Sequence, residues 1–94
     1  MGDFYHVWIR PRKGISAEQV VERMNLAIDW IRYASNVWIL YTTADEDKWQ
    51  VRLKPLVEPD GELFICHLDI QQRSGWMSQK FWEWIQQTIK KYQR

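Results

Sequence analysis

The chain has one cysteine, Cys66, so no disulfide can close within it. Such usage fits a reducing compartment and leads us to expect a cytoplasmic protein. No apolar run approaches the roughly 18 residues that mark a membrane-spanning helix, and the first residues lack the basic, apolar and small-residue succession of a signal peptide. Charge of either sign is scarcely in excess: thirteen Lys and Arg stand against twelve Asp and Glu, a formal +1. No global field therefore draws the chain to nucleic acid or to anionic lipid. The four glycines are isolated from one another, which excludes a Gly-rich phosphate loop. Internal repeats, low-complexity tracts and composition shifts are also missing, so residues 1–94 read as a single domain.

Large side chains are what the sequence has in abundance. It is 46% hydrophobic and 15% aromatic, with seven Trp. A chain of this size buries only about 60–65% of its unfolded surface and needs a dense core. Some of the rings serve that core. Trp is nevertheless too large to be often fully buried, and seven in so short a chain also suggest an interface or a binding face.

Residues 3–10 alternate as a strand, with Tyr5, Val7 and Ile9 on one face and Phe4, His6 and Trp8 on the other. Both faces carry large side chains, which places this strand centrally, covered on both sides. Pro11 ends it. Ser16 and Gln19 have capping-box spacing and open a helix whose stripe is Val20, Met24, Ala27 and Ile28. That helix either runs on to Tyr33 or stops near Ile28, with residues 30–34 forming a strand that turns at Ser35 and Asn36. Residues 37–42 are a strand, rich in β-branched and aromatic types.

The middle of the chain fits two periods. Residues 48–54 alternate like a strand, yet Trp49, Leu53, Leu56 and Val57 are also spaced for one helix face. Local chemistry favours the helix. Thr43 and Glu46 have capping-box spacing, Asp45, Glu46 and Asp47 crowd the first turn, and Lys48, Arg52 and Lys54 follow toward the negative end of the helix dipole. Pro55 opposes it, and the regular helix is expected to end there. Residues 58–61 then form a turn in which Gly61 supplies positive φ. Residues 62–69 are a strand, with Leu63, Ile65 and His67 on one face and Phe64, Cys66 and Leu68 on the other. Ser78 caps a last helix over 79–92, striped by Phe81, Trp82, Ile85, Ile89 and Tyr92.

This order implies an α+β fold. With the strand pair it is a ferredoxin-like βαββαβ sandwich carrying an added C-terminal helix, its helices mainly on one sheet face. Three stretches, WIRYASNVWILYTTAD, KPLVEPDGELFICHLD and GWMSQKFWEWIQ, resemble the small SinR-like proteins of bacteria. Those are grouped by fold with the small ferredoxin-like endoribonucleases of CRISPR adaptation. The resemblance covers residues 30–86, and residues 4–9 more loosely. It implies the same fold and a homodimer. In the CRISPR relatives the first strand ends in an acidic residue that binds metal; here Arg10 stands at that place, so the resemblance does not carry nuclease chemistry onto this chain.

No residue pattern commits the chain to catalysis, to a metal or to another cofactor. Asp45, Glu46 and Asp47 are explained by helix capping, and Asp29 and Asp69 have no carboxylate partner in the pattern. His6 and His67 are expected on neighbouring strands of one sheet face, with Cys66 on the opposite face, too few ligands for zinc. No small-molecule or membrane partner is expected. Association is the expected activity: with Tyr5, Val7 and Ile9 against the helices, the open face presents Phe4, His6 and Trp8, with Trp38 and Leu40 or their alternates Val37, Ile39 and Tyr41. The expected partner is a second copy of the chain, and the last helix is the alternative cover. A second functional reading is a nucleic-acid binder, through the basic loop of Arg10, Arg12 and Lys13, or a degenerate metal nuclease.

Overall fold

The polypeptide alternates between period 2 and period 3.6, and the structure follows these changes closely. A computed structural model describes residues 2–92. Its elements are β1 (Asp3–Arg10), α1 (Ala17–Met24), β2 (Asp29–Ala34), β3 (Val37–Thr42), α2 (Glu46–Val57), β4 (Glu62–Leu68) and α3 (Gln79–Tyr92). The strands form one antiparallel sheet in the order β2-β3-β1-β4. The architecture is α+β, with β1 between β3 and β4.

Helix α1 begins as its sequence requires. The Ser16 hydroxyl accepts from the Gln19 backbone N–H at 3.2 Å, and the Gln19 side chain accepts from the Ser16 N–H at 2.8 Å. Val20 and Met24 are buried, but the helix stops at Met24. Ile28 falls outside the stripe and is 46% exposed; its N–H donates to the Tyr41 carbonyl and leads the chain into β2. Residues 30–34 are thus strand, the shorter of the two readings of the first helix.

Helix α2 forms over the ambiguous stretch, with two differences from expectation. Its cap is Asp45, whose carboxylate accepts from the Lys48 N–H at 3.0 Å, in place of Thr43. The helix also runs through Pro55 to Val57. Proline removes the N–H that the Val51 carbonyl would accept, and Val51 is 73% exposed, so the missing bond falls on the solvent side of the helix, where it costs least. The carbonyls at the end of the helix are held by Arg12: its Nε donates to Pro55 O at 3.2 Å, and its backbone N–H to Leu56 O at 2.8 Å. Buried Trp49, Leu53, Leu56 and Val57 make the inner face. The Trp49 indole donates to the buried Thr42 hydroxyl at 3.1 Å, so this large ring leaves no polar atom unpaired.

The turn after α2 corrects one expectation about glycine. Gly61 does not have positive φ. It is required because a Cβ there would collide with the Arg10 carbonyl and lie 2.8 Å from the Val57 carbonyl oxygen. The turn passes so close to the end of β1 that only a hydrogen fits.

The sheet has a core on each side. Tyr5, Val7, Ile9, Trp38 and Leu40 face α1 and α2, where they meet Val20, Met24, Trp49 and Leu53. Phe4, Ile39 and Tyr41 face the other way and are covered by Phe81 and Ile85 of α3 with Ile70 of the preceding loop. Ser78 opens α3 by accepting from the Phe81 N–H at 3.3 Å. Tyr92 stacks on Tyr41 with centroids 5.0 Å apart, and Trp84 meets Phe4 edge-on. Two helices therefore share one face as expected, and the third closes much of the other.

Candidate interaction surface

Alternation along β1 and β3 fixes which side chains share a face. In the antiparallel register His6 lies opposite Ile39 and Cys66, and Trp8 opposite Val37 and Phe64. Directly opposed residues point the same way. The face of Phe4, His6 and Trp8 therefore continues with the alternates Val37, Ile39 and Tyr41. Trp38 and Leu40 do not belong to it: they pair opposite Val7 and Tyr5 and are 1% and 0% exposed beneath α1 and α2. That is a correction to the expected open set, and its reason is the two-residue period of the strand, under which a one-residue slip reverses every side chain.

Helix α3 covers only one end of this face. Phe4 is buried beneath it. His6 marks the boundary, where its Nε2 and the Tyr33 hydroxyl share a hydrogen bond of 2.9 Å. Burial pushes the His6 imidazole below its ordinary pKa and the Tyr33 phenol above its own. Beyond His6 the face is open: Trp8 and Val37 are half-buried, Cys66 is exposed and Phe64 is 61% exposed. The loop between β4 and α3 adds Trp76, which is 98% exposed and shares a cavity of about 350 Å³ with His6, Tyr33 and Leu68. Trp76 was not singled out from the sequence as a surface residue. The one signal there was its isolation between Gly75 and Met77, outside the stripe of the following helix.

The two histidines are not neighbours. His67 lies opposite Tyr5, on the α1/α2 side of the sheet, with its ring 5.1 Å from the Tyr5 ring and its Nε2 3.7 Å from Asp3. It is Cys66 that shares a face with His6. Among the described residues no group of three or more His, Cys, Asp or Glu is placed to hold a metal ion. The acids have local uses: Asp69 accepts from the Gln71 N–H, and one Asp29 oxygen accepts from the Trp30 N–H and the Trp84 indole.

The basic loop is largely engaged with the fold. Arg10 ends β1 opposite Glu62, whose Oε1 accepts from Nε at 3.2 Å and lies 3.2 Å from Nη2. Arg12 holds the α2 C-terminus as described, and its Nη1 also donates to the Lys13 carbonyl. Lys13 is exposed. No described helix is long and apolar enough to cross a membrane. The chain matches no family model, no curated protein and no solved structure at a significant level.

Proposed function

We propose that this chain is a non-enzymatic association domain of ferredoxin-like topology that pairs with a second copy of itself through the uncovered end of its sheet, in the cytoplasm. Sheet order β2-β3-β1-β4, with α1 and α2 on one face, supports the ferredoxin-like reading and the SinR-like resemblance. The single observation that carries the association is the exposed Phe64 ring, which lies directly opposite half-buried Trp8 on the uncovered sheet face. Large rings left in water next to one another mark contact surfaces, and Trp anchors such contacts most often. Two features favour a second copy as the occupant. The patch on β1 and β4 is almost free of net charge, since Arg10 and Glu62 pair with each other at its margin. A neutral apolar surface can meet itself across a twofold axis without opposing like charges. A lone exposed Cys66 fits a reducing compartment.

The test is mass by light scattering on the wild type and on Phe64→Glu, with circular dichroism as the control for folding. Phe64 is exposed on an edge strand, so glutamate is accommodated there. The expected outcome is a dimer for the wild type and a monomer of unchanged secondary structure for the variant. A wild type that stays monomeric up to about 100 μM, equivalent to roughly 5.5 kcal/mol of association, refutes the reading. Nucleic-acid binding predicts a different result, a salt-sensitive complex lost in Lys13→Glu.

A further inference from the structure

The two edges of the sheet are protected very differently. Edge strand β2 has a register break between Arg32 and Ala34, and α3 packs on it. Edge strand β4 runs in unbroken register with β1 from Glu62 to Leu68 and contains neither Pro nor Lys. Bulges, prolines and lysines are the usual guards of an edge, and β4 has none of them.

The ladder itself shows which groups this edge presents. The Ile9 N–H donates to Asn36 O, and Ile9 O accepts from the Asn36 side chain, so the odd residues of β1 turn their backbone groups toward β3. The even residues therefore bond β4, through Glu62, Phe64, Cys66 and Leu68. Leu63, Ile65 and His67 are left with their N–H and C=O groups directed away from the sheet. Alongside them runs the flank of α2, and between strand and helix lies a groove of about 390 Å³ lined by Glu46, Asp47, Lys54, Glu58, Leu63 and Ile65, among others. Lys54 is 3.7 Å from Glu58, which leaves Glu46 and Asp47 as the excess charge. Asp3 and Asp45, with Glu46, lie close enough to Tyr5 to raise its pKa beyond the effect of burial.

We infer that this groove takes an extended, basic peptide segment of a partner protein, which adds to β4 as a fifth strand, its apolar side chains against Leu63 and Ile65 and a Lys or Arg at Glu46 and Asp47. Main-chain bonds to an edge supply affinity in this mode, and side-chain contacts supply the choice of sequence. A second copy is the wrong occupant. Strand β4 contains no Lys or Arg, and pairing β4 with β4 about a twofold axis confronts the two acidic α2 flanks with each other. Phe64 borders both this groove and the aromatic sheet face, but the groove's acidic flank on α2 and the outward amides of β4 take no part in the proposed dimer, so Asp47→Lys tests it separately.

The experiment titrates the full chain with a fluorescein-labelled eight-residue peptide, Thr-Val-Thr-Val-Thr-Lys-Thr-Lys, whose valines and lysines share one face of the strand, using the peptide with glutamate in place of lysine as control. Anisotropy reports binding, and NMR-detected amide exchange reports where. The expected result is binding of the lysine peptide alone, weakened about tenfold in Asp47→Lys, with slowed exchange at the amides of Leu63, Ile65 and His67. The Phe64 and Cys66 amides, already bonded to β1, do not change. Equal binding of both peptides, an unaffected Asp47→Lys, or protection that misses those three amides overturns the proposal. So does concentration-dependent protection of the same amides without peptide, since a second copy then occupies the edge.

Discussion

Replacing Ile85 with alanine tests how α3 is attached. Ile85 is 1% exposed and packs among Phe4, Ile39, Tyr41 and Phe81. The substitution removes three carbons, about 2.4 kcal/mol at roughly 0.8 per buried methylene. The cavity adds to this, because Phe4 and Tyr41 are fixed by the sheet and cannot collapse into the space; the expected loss is about 3–4 kcal/mol. A domain of this size is stable by about 5–14 kcal/mol, so the change is a large fraction of the whole. It is measured by urea titration followed by Trp fluorescence, with the slope m held common to both proteins. Val51→Ala, at a position 73% exposed, is the control and should cost less than about 1 kcal/mol. A loss for Ile85→Ala no greater than the control, at unchanged m, would falsify the placement of α3 on the sheet. An m reduced by about a third would mean that α3 unfolds separately from the rest.

Three further outcomes follow from single contacts. Gly61→Ala should lower stability by several kcal/mol, well beyond an ordinary turn substitution, because the added carbon meets the Arg10 and Val57 carbonyls; a midpoint shift no larger than that of Asp60→Ala, at the exposed neighbouring position of the same turn, would contradict the close approach. Arg12→Ala should destabilise by about 1–2 kcal/mol, since the α2 carbonyl that its guanidinium serves loses a charged donor; an unchanged urea midpoint would return Arg12 to the category of a free surface charge. For His6, burial lowers the folded pKa, so the unfolded chain takes up the proton first. The stability present above the ordinary imidazole value, about 6.5, is then lost as pH falls through that value toward the lower folded one. His6→Gln should flatten this part of the profile between about pH 6.5 and 5, where ordinary carboxylates have barely begun to titrate; identical slopes for the two proteins would refute it.

The elements were readable because local chemistry and period agreed. Ser16 with Gln19, and Ser78 with the stripe from Phe81, mark helix starts that the structure uses. The charge gradient from Asp45 to Lys54 identified α2 against an alternating pattern that also fits a strand. What could not be read was relative register. Both faces of β3 are apolar, so composition cannot say whether Trp38 or Ile39 shares a face with Phe4; hydrogen bonding to β1 decides it. The same limit misplaced His67 relative to His6. Pro55 does not end α2, because the cost of the unpaired Val51 carbonyl depends on which side of the helix faces water, and that is set by tertiary packing. The exposure of Trp76 is a tertiary property, of which its place outside the α3 stripe is only a weak local sign. The basic loop looked free because the acceptors for Arg12 lie more than forty residues away, at Pro55 and Leu56.

The central position of β1 has a consequence for how the chain is made. On the ribosome this strand emerges before both of its neighbours. Its pairing with β3 must wait for residues 37–42, its pairing with β4 for residues 62–68, and the cover over Phe4 for α3. Closing such long loops is slow relative to local helix formation. A nascent chain halted before Gln79 would leave Phe4, Ile39 and Tyr41 uncovered and open to wrong partners. A chain halted before Gln79 should therefore recruit chaperones that the released 94-residue chain does not.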